Sequence, residues 1–170
     1  MQALDLLGIR NWQQKNKIQV CTQTVFAVGN QQANLMIIGE APGLHEDQQE
    51  EPFAGRAGQL LNSMLRAINL NRSEVYIANI LQLDEVNLCA HFLDQQIKLV
   101  QPKLLLAVGT IAAHYLLKTK SSLESLRNQL HYYGENKTPL IVTYDPAYLL
   151  RNPVDKGKAF LDLRFVQRNL

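Results

Sequence analysis

Cysteine and long hydrophobic runs are both scarce in this chain. Its 170 residues include two cysteines, Cys21 and Cys89, which are too few for a disulfide framework or a four-ligand metal site. The longest uninterrupted apolar stretch, residues 104–108, is far too short to cross a membrane. The N-terminal "MQALDLLGIRNW" lacks the apolar core of a signal peptide. We therefore expect a reduced, cytoplasmic protein that is not bound to a membrane.

A strong excess of charge is also absent, because the net charge is +2. This value is compatible with a nucleic-acid partner and does not require one. With 46% apolar residues the chain can bury one core, so we expect one domain at residues 17–170 and a monomer. We expect residues 1–16 to form a separate N-terminal segment, since the polar "QQKNK" at 13–17 is typical of a linker.

Strand-like and helix-like patterns alternate along the domain. The predicted strands are residues 33–39, 73–80, 103–108 and 139–144. The predicted helices are residues 57–69, 84–100, 110–117 and 156–168. This order predicts a three-layer α/β/α domain with a central, mainly parallel four-stranded sheet. Residues 118–137 are predicted to form an irregular connection or a short hairpin.

Polar residues or glycine lie at the carboxyl end of each predicted strand: Glu40, Asn79, Gly109 and Asp145. The carboxyl ends of parallel strands meet at one edge, where open α/β proteins bind ligands. Each residue has a plainer alternative: Glu40 could cap a helix and Asn79 could bond a loop. Asp145 could form an Asx turn before a proline. The glycine-rich "PFAGRAG" at 52–58 allows close approach of a ligand, so together these features favour a pocket.

Three ordered motifs resemble one enzyme family. They are "GEAPGLHEDQQEEPFAGRAGQLL" at 39–61, "VYIANIL" at 75–81 and "TYDPAYLLR" at 143–151. These motifs resemble those of the family-four uracil-DNA glycosylases, the bacterial and archaeal iron–sulfur type. The resemblance runs from about Thr22 to the C-terminal helix, and it implies that DNA, single-stranded or containing uracil, is the partner.

The resemblance also implies a base-binding site. Glu40 matches the first motif, which lies against the flipped uracil and its attacking water, together with Ala41, Pro42 and Gly43. Phe53 matches the aromatic residue that stacks on the base, although phenylalanines are more often ordinary core residues. Asn79 matches the asparagine whose amide reads the edge of uracil.

The third motif implies DNA contacts. Tyr148, Leu149 and Leu150 would form a wedge in the minor groove, and Arg151 would hold a phosphate. The alternative is that the leucines of this first helical turn belong to the core.

Departures from the family pattern concern the cysteines. Relatives hold a four-iron cluster with four cysteines, of which only Cys89 remains here, and Cys21 looks unrelated to the missing pair. Because one thiolate cannot hold such a cluster, we expect no iron–sulfur cluster and no other cofactor.

A second departure lies at position 145, where the family has a histidine that donates a hydrogen bond to uracil O2. An ionised aspartate cannot donate, and it would repel the departing uracil anion.

Three hypotheses follow from these observations. The first is a glycosylase-like protein with impaired or no uracil excision. The second is a working glycosylase in which Asp145 is protonated or serves a different damaged base. The third is a noncatalytic replication adapter, because "LDLLGIRNW" resembles the segment with which the DNA polymerase III psi subunit engages the clamp loader. The alternative for that segment is a helix start that packs Leu4, Leu7, Ile9 and Trp12 on the domain.

Overall fold

The computed structural model describes residues 27–40, 53, 55–80 and 86–170. The predicted N-terminal segment at residues 1–16, with its clamp-loader motif, lies outside these ranges. So do Cys21, Ala41, Pro42 and Gly43. Within the described ranges, no helix has the length and apolar character needed to span a bilayer.

The described ranges contain six strands and six α-helices, numbered here in chain order. The strands are β1 (Ala27–Gly29), β2 (Leu35–Glu40), β3 (Tyr76–Ile80), β4 (Leu104–Val108), β5 (His131–Tyr133) and β6 (Thr138–Thr143). The helices are α1 (Gly55–Arg66), α2 (Val86–Val100), α3 (Thr110–Leu117), α4 (Leu123–Leu126), α5 (Pro146–Arg151) and α6 (Lys156–Asn169). Short 3-10 turns lie at Arg72–Glu74 and Pro153–Asp155.

The strands form one sheet in the order β1-β3-β2-β4-β6-β5. The central four, β3, β2, β4 and β6, are parallel, which confirms the predicted parallel core. The antiparallel edge strands β1 and β5 were not predicted, since three residues are too few to show an alternating pattern. Residues 118–137, predicted as an irregular connection or a short hairpin, contain the helical turn α4 and the strand β5, which pairs with β6 just beyond this range.

Hydrophobic clusters cover both faces of the sheet, as expected for parallel strands buried on two sides. On one face, Leu35 and Ile37 pack with residues of α1, α5 and α6. On the other, Met36 and Ile38 pack with residues of α2 and α3. The result is the predicted three-layer α/β/α arrangement.

The connections leave a crevice at the carboxyl ends of β2 and β4. The chain passes from β2 to its neighbour β3 on one side, then returns to β4 on the other side of β2. Ligands of open α/β proteins bind at such a reversal, outside the carboxyl ends of the strands. Glu40 ends β2 and Gly109 follows β4, so both lie at this crevice.

Candidate functional site

Asp145 is the N-cap of α5. Its Oδ1 accepts hydrogen bonds from the backbone N–H groups of Ala147 at 2.8 Å and Tyr148 at 3.1 Å. Pro146 follows at the first helical position, where its missing N–H costs nothing. The Asx-type alternative therefore describes the backbone correctly, and the same carboxylate also faces a cavity.

Gly109 allows Asp145 to come close to the end of β4. Gly109 has φ +94°, and a Cβ there would lie 3.1 Å from the Cβ of Asp145. Its N–H donates to the carbonyl of Thr143 at 2.9 Å, which joins the ends of β4 and β6. Burial raises the pKa of Asp145, and the two N–H donors and Arg151 offset only part of this effect.

Glu40 and Asp145 share a cavity of about 430 Å³. Desolvation raises the pKa of Glu40, and the negative charge of Asp145 raises it further. The two carboxylates are therefore electrostatically coupled across the crevice. The remaining wall includes Thr110, Ser122, Glu124, Tyr144, Tyr148 and Arg151.

Asn79 and Phe53 lie together beside Gly39, which precedes Glu40 in β2. Asn79 pairs in register with Gly39, and a Cβ built on Gly39 would lie 3.1 Å from Asn79 Oδ1 and 2.3 Å from Phe53 Cζ. Asn79 is 7% exposed, and its Oδ1 has no hydrogen-bond partner among the described residues. A buried amide oxygen without a hydrogen bond costs free energy. A donor on a bound ligand would remove this cost.

Phe53 is a buried residue with an unusual backbone conformation. It is 8% exposed and packs in the same core cluster as Ile77, on the face of the sheet that carries Asn79. Its φ of +52° is uncommon for an aromatic residue, and its carbonyl lies where a side chain at Gly58 would otherwise sit. Glycine at 58 is therefore needed for this close approach.

The predicted site residues form two adjoining groups. Glu40 and Asp145 line the cavity, whereas Asn79 and Phe53 are not among its lining residues. Glu40 and Gly39 are adjacent in β2, so the strand end connects the two groups.

The predicted DNA wedge on α5 needs a correction. Leu149 is 1% exposed and packs in the core with α1 and α6 side chains, so it cannot enter a groove. Tyr148 stacks on Tyr144, with ring centroids 5.2 Å apart and an angle of 7°, and it donates to Asp155 at 2.8 Å. Leu150 is half-buried, and Arg151 is exposed on the cavity wall.

Arg127 is the centre of a buried polar network that sequence reasoning missed. Its Nε and Nη2 donate to Asp162 at 2.7 and 3.0 Å. Nη2 also donates to the Lys158 carbonyl at 3.0 Å. Nη1 donates to Glu124 at 2.6 Å and to the Tyr144 hydroxyl at 3.2 Å. These contacts engage all five N–H groups of the guanidinium. Arg127 and Asp162 are 4% and 0% exposed.

The network extends to the cavity wall. Arg127 lies 4.4 Å above the ring of Tyr144, whose hydroxyl donates to Glu124. Glu124 also accepts from Lys158 at 2.8 Å, and this bond is the largest contribution that lowers the pKa of Glu124 to about 2. Thr143 donates to Asp162 at 2.8 Å. The segment that carries Asp145 is therefore fixed from several directions.

Comparison with known proteins identifies the family. The sequence model of the uracil DNA glycosylase superfamily matches residues 26–165 of this chain. A type-4 uracil-DNA glycosylase of Thermotoga maritima is 32% identical over 163 residues, covering 82% of this chain and 84% of the relative. One from Archaeoglobus fulgidus is 34% identical over 149 residues, covering 78% and 74%. One from Saccharolobus solfataricus is 30% identical over 189 aligned residues, covering 100% and 88%.

The chain belongs to the uracil-DNA glycosylase superfamily, within the type-4 uracil-DNA glycosylases. Membership places it in a family of DNA-binding hydrolases of DNA repair.

These relatives contradict the expectation that no cofactor is involved. They are type-4 enzymes, and that family is the iron–sulfur type. The residues of this chain do not fit a four-cysteine site, because it contains two cysteines and such a cluster takes four thiolates. In the described part of the chain, no three His, Cys, Asp or Glu side chains are grouped so as to hold a metal.

Proposed function

We propose that this protein binds a flipped uracil base in DNA and excises it much more weakly than its type-4 relatives. The observation that carries this proposal is the position of Asp145, whose desolvated carboxylate lies at the crevice and shares a cavity with Glu40. Two carboxylates here disfavour any reaction in which negative charge develops between them.

Base recognition is the part of the activity that we expect to remain. The unpaired Oδ1 of Asn79 can accept the N3–H of uracil, and its amide nitrogen can donate to O4. Phe53, adjacent to Gly39 and Asn79, offers an aromatic face for stacking. On the cavity wall, the exposed Arg151 can contact a DNA phosphate.

The weakened part of the reaction is departure of the base. Cleavage of the N-glycosidic bond leaves uracil as an anion, and a transition state of this kind is stabilised by donors aimed at the developing charge. Ionised Asp145 accepts hydrogen bonds and cannot provide such a donor. Glu40 remains available to orient the attacking water.

A second candidate is a working glycosylase in which Asp145 is protonated. The raised pKa of Asp145 favours this alternative, because a neutral carboxyl group can donate one hydrogen bond. The two candidates differ at neutral pH, where the second requires substantial activity and the first does not.

A single-turnover assay on uracil-containing single-stranded DNA tests the proposal. The Thermotoga maritima relative serves as the positive control, and binding to the same oligonucleotide is measured in parallel. We expect DNA binding together with excision at least about a hundredfold slower than that of the relative. Excision at a comparable rate at neutral pH would support the protonated alternative, and absence of DNA binding would contradict both.

A further inference from the structure

A second concave surface lies between α1 and α6, on the outer side of that helical layer. Its volume is about 190 Å³. The walls are mostly aliphatic and are formed by Leu60, Met64, Ala67, Ala159, Phe160 and Leu163. We call this surface the α1–α6 groove. Its size suits one large apolar side chain rather than a whole small molecule.

Large apolar side chains of α6 and of the turn before it face solvent. Phe160 is 44% exposed and Leu161 is 60% exposed, although both lie on the C-terminal helix α6. Val154, in the turn before α6, is 93% exposed. Phe160 also lines the groove, so its exposed ring belongs to a concave apolar surface of the kind that protein partners bind.

The two helices that form the groove are basic. Helix α1 contains no acidic residue, and the single acid of α6, Asp162, is fully buried against Arg127. Together the helices carry six basic residues and this one acid, whereas the whole chain has a net charge of only +2. Of these six, Lys158 is neutralised by Glu124 and Asp155, at 2.8 and 3.0 Å.

Several of these cations border the groove itself. Lys156 is one of its lining residues. Arg56 precedes Leu60 by one helical turn and Arg164 follows Phe160 by one turn, and residues four apart share a helix face. Arg56, Lys156 and Arg164 are all exposed, and the structure shows no salt bridge from any of them to a described acidic residue.

We propose that the α1–α6 groove is a docking site for an acidic peptide segment of a protein partner. One large apolar side chain of the peptide inserts between α1 and α6, and its carboxylates pair with Arg56, Lys156 and Arg164. Single-stranded DNA fits less well, because its bases need aromatic platforms and this groove has mainly aliphatic walls. The site is distinct from the crevice at the strand ends and does not depend on the proposed function.

Fluorescence anisotropy with three labelled probes tests this proposal on the full-length protein. The first probe is a peptide of aspartates with one central phenylalanine, the second replaces that phenylalanine by serine, and the third is a uracil-free oligonucleotide of about 20 nucleotides. We expect the phenylalanine peptide to bind with a micromolar Kd, at least about tenfold more tightly than the serine peptide. Its affinity should fall as salt rises.

Variants then locate the site. Phe160→Ser and Arg164→Glu each alter an exposed side chain, and each should weaken peptide binding at least about tenfold with unchanged circular dichroism. Lys103→Glu, an equal charge reversal at an exposed position next to β4, is the control and should have little effect. Equal binding of the serine peptide, or no saturable binding up to about 1 mM, would overturn the proposal. Displacement of the peptide by the oligonucleotide would instead make this face a nucleic-acid surface.

Discussion

Replacing Asp145 separates its two roles, because helix capping and charge respond differently to each substitution. Asn is as good an N-cap as Asp, so Asp145→Asn should keep both bonds to the first turn of α5 while removing the negative charge. Asp145→His introduces a donor but gives up the cap, at a cost of about 1 kcal/mol in the free energy of unfolding. Asp145→Asn should therefore be the more stable of the two variants, and Asp145→His the more active one.

The size of the charge effect can be bounded. A carboxylate about 4 Å from a developing anion, at an effective dielectric constant near 20, raises its energy by about 4 kcal/mol. That energy corresponds to about three orders of magnitude in rate. Arg151 and the N–H groups of α5 offset part of the charge of Asp145. We therefore expect about a tenfold to hundredfold gain for Asp145→Asn, and a larger gain for Asp145→His because an imidazole is a stronger donor than a carboxamide.

The pH dependence of the unmodified protein gives an independent check. Burial raises the pKa of Asp145 above its ordinary value, so its neutral form becomes populated at a higher pH than that of an ordinary aspartate as the pH falls. Only the neutral form donates a hydrogen bond and lacks the repelling charge. Residual uracil excision should therefore rise with falling pH, and the rise should be absent in Asp145→Asn.

The assay is single-turnover excision from a uracil-containing single strand, with thermal melting of each variant measured alongside. Glu135→Gln, in the exposed turn between β5 and β6, is the control for removing one negative charge. The reasoning is refuted if the unmodified protein excises uracil rapidly at neutral pH and Asp145→His slows it. Asp145 would then be a catalytic group in its own right.

Two further predictions concern the surrounding structure. Arg127→Met leaves buried Asp162 without its partner and should lower the free energy of unfolding by about 3–5 kcal/mol in urea titrations, whereas adding Asp162→Leu should restore part of the loss. If the double variant is no more stable than the single one, the ion pair is not the cause. Gly39→Ala should weaken binding of uracil-containing DNA, because the new Cβ would lie 2.3 Å from Phe53 Cζ and displace the ring. Gly157→Ala has no atom within 4 Å of the new Cβ, so it should leave binding unchanged and raise the melting temperature slightly.

Local sequence patterns predicted the central elements well. Helix α3 has the predicted bounds, because Gly109 marks a sharp change from a continuous apolar run to a helical pattern. Strand β3 begins three residues later than the predicted strand at 73–80, since residues 72–74 form a turn in which Glu74 accepts from the Asn71 N–H at 2.8 Å. Residue types alone did not distinguish this turn from the beginning of the strand.

The buried network around Arg127 could not be predicted in the same way. Arg127 and Asp162 are 35 residues apart, and neither stands out from other charged residues in its segment. Periodicity reports which face of an element is apolar, but the pairing of two buried charges depends on how distant elements meet. The position of Leu149 could not be predicted either, because its helical spacing is compatible with both a core position and an exposed wedge.

The network also determines how a change at position 145 should be interpreted. Thr143 is bonded to Asp162, Tyr144 to Arg127 and Glu124, and Tyr148 is stacked on Tyr144. The residues on both sides of position 145 are thus held by contacts that do not involve the Asp145 side chain. A substitution there can alter charge, donor capacity and the helix cap while leaving the path of the backbone in place. Differences in excision between Asp, Asn and His at this position therefore report the chemistry of the side chain, once the small change in stability from the cap has been measured separately.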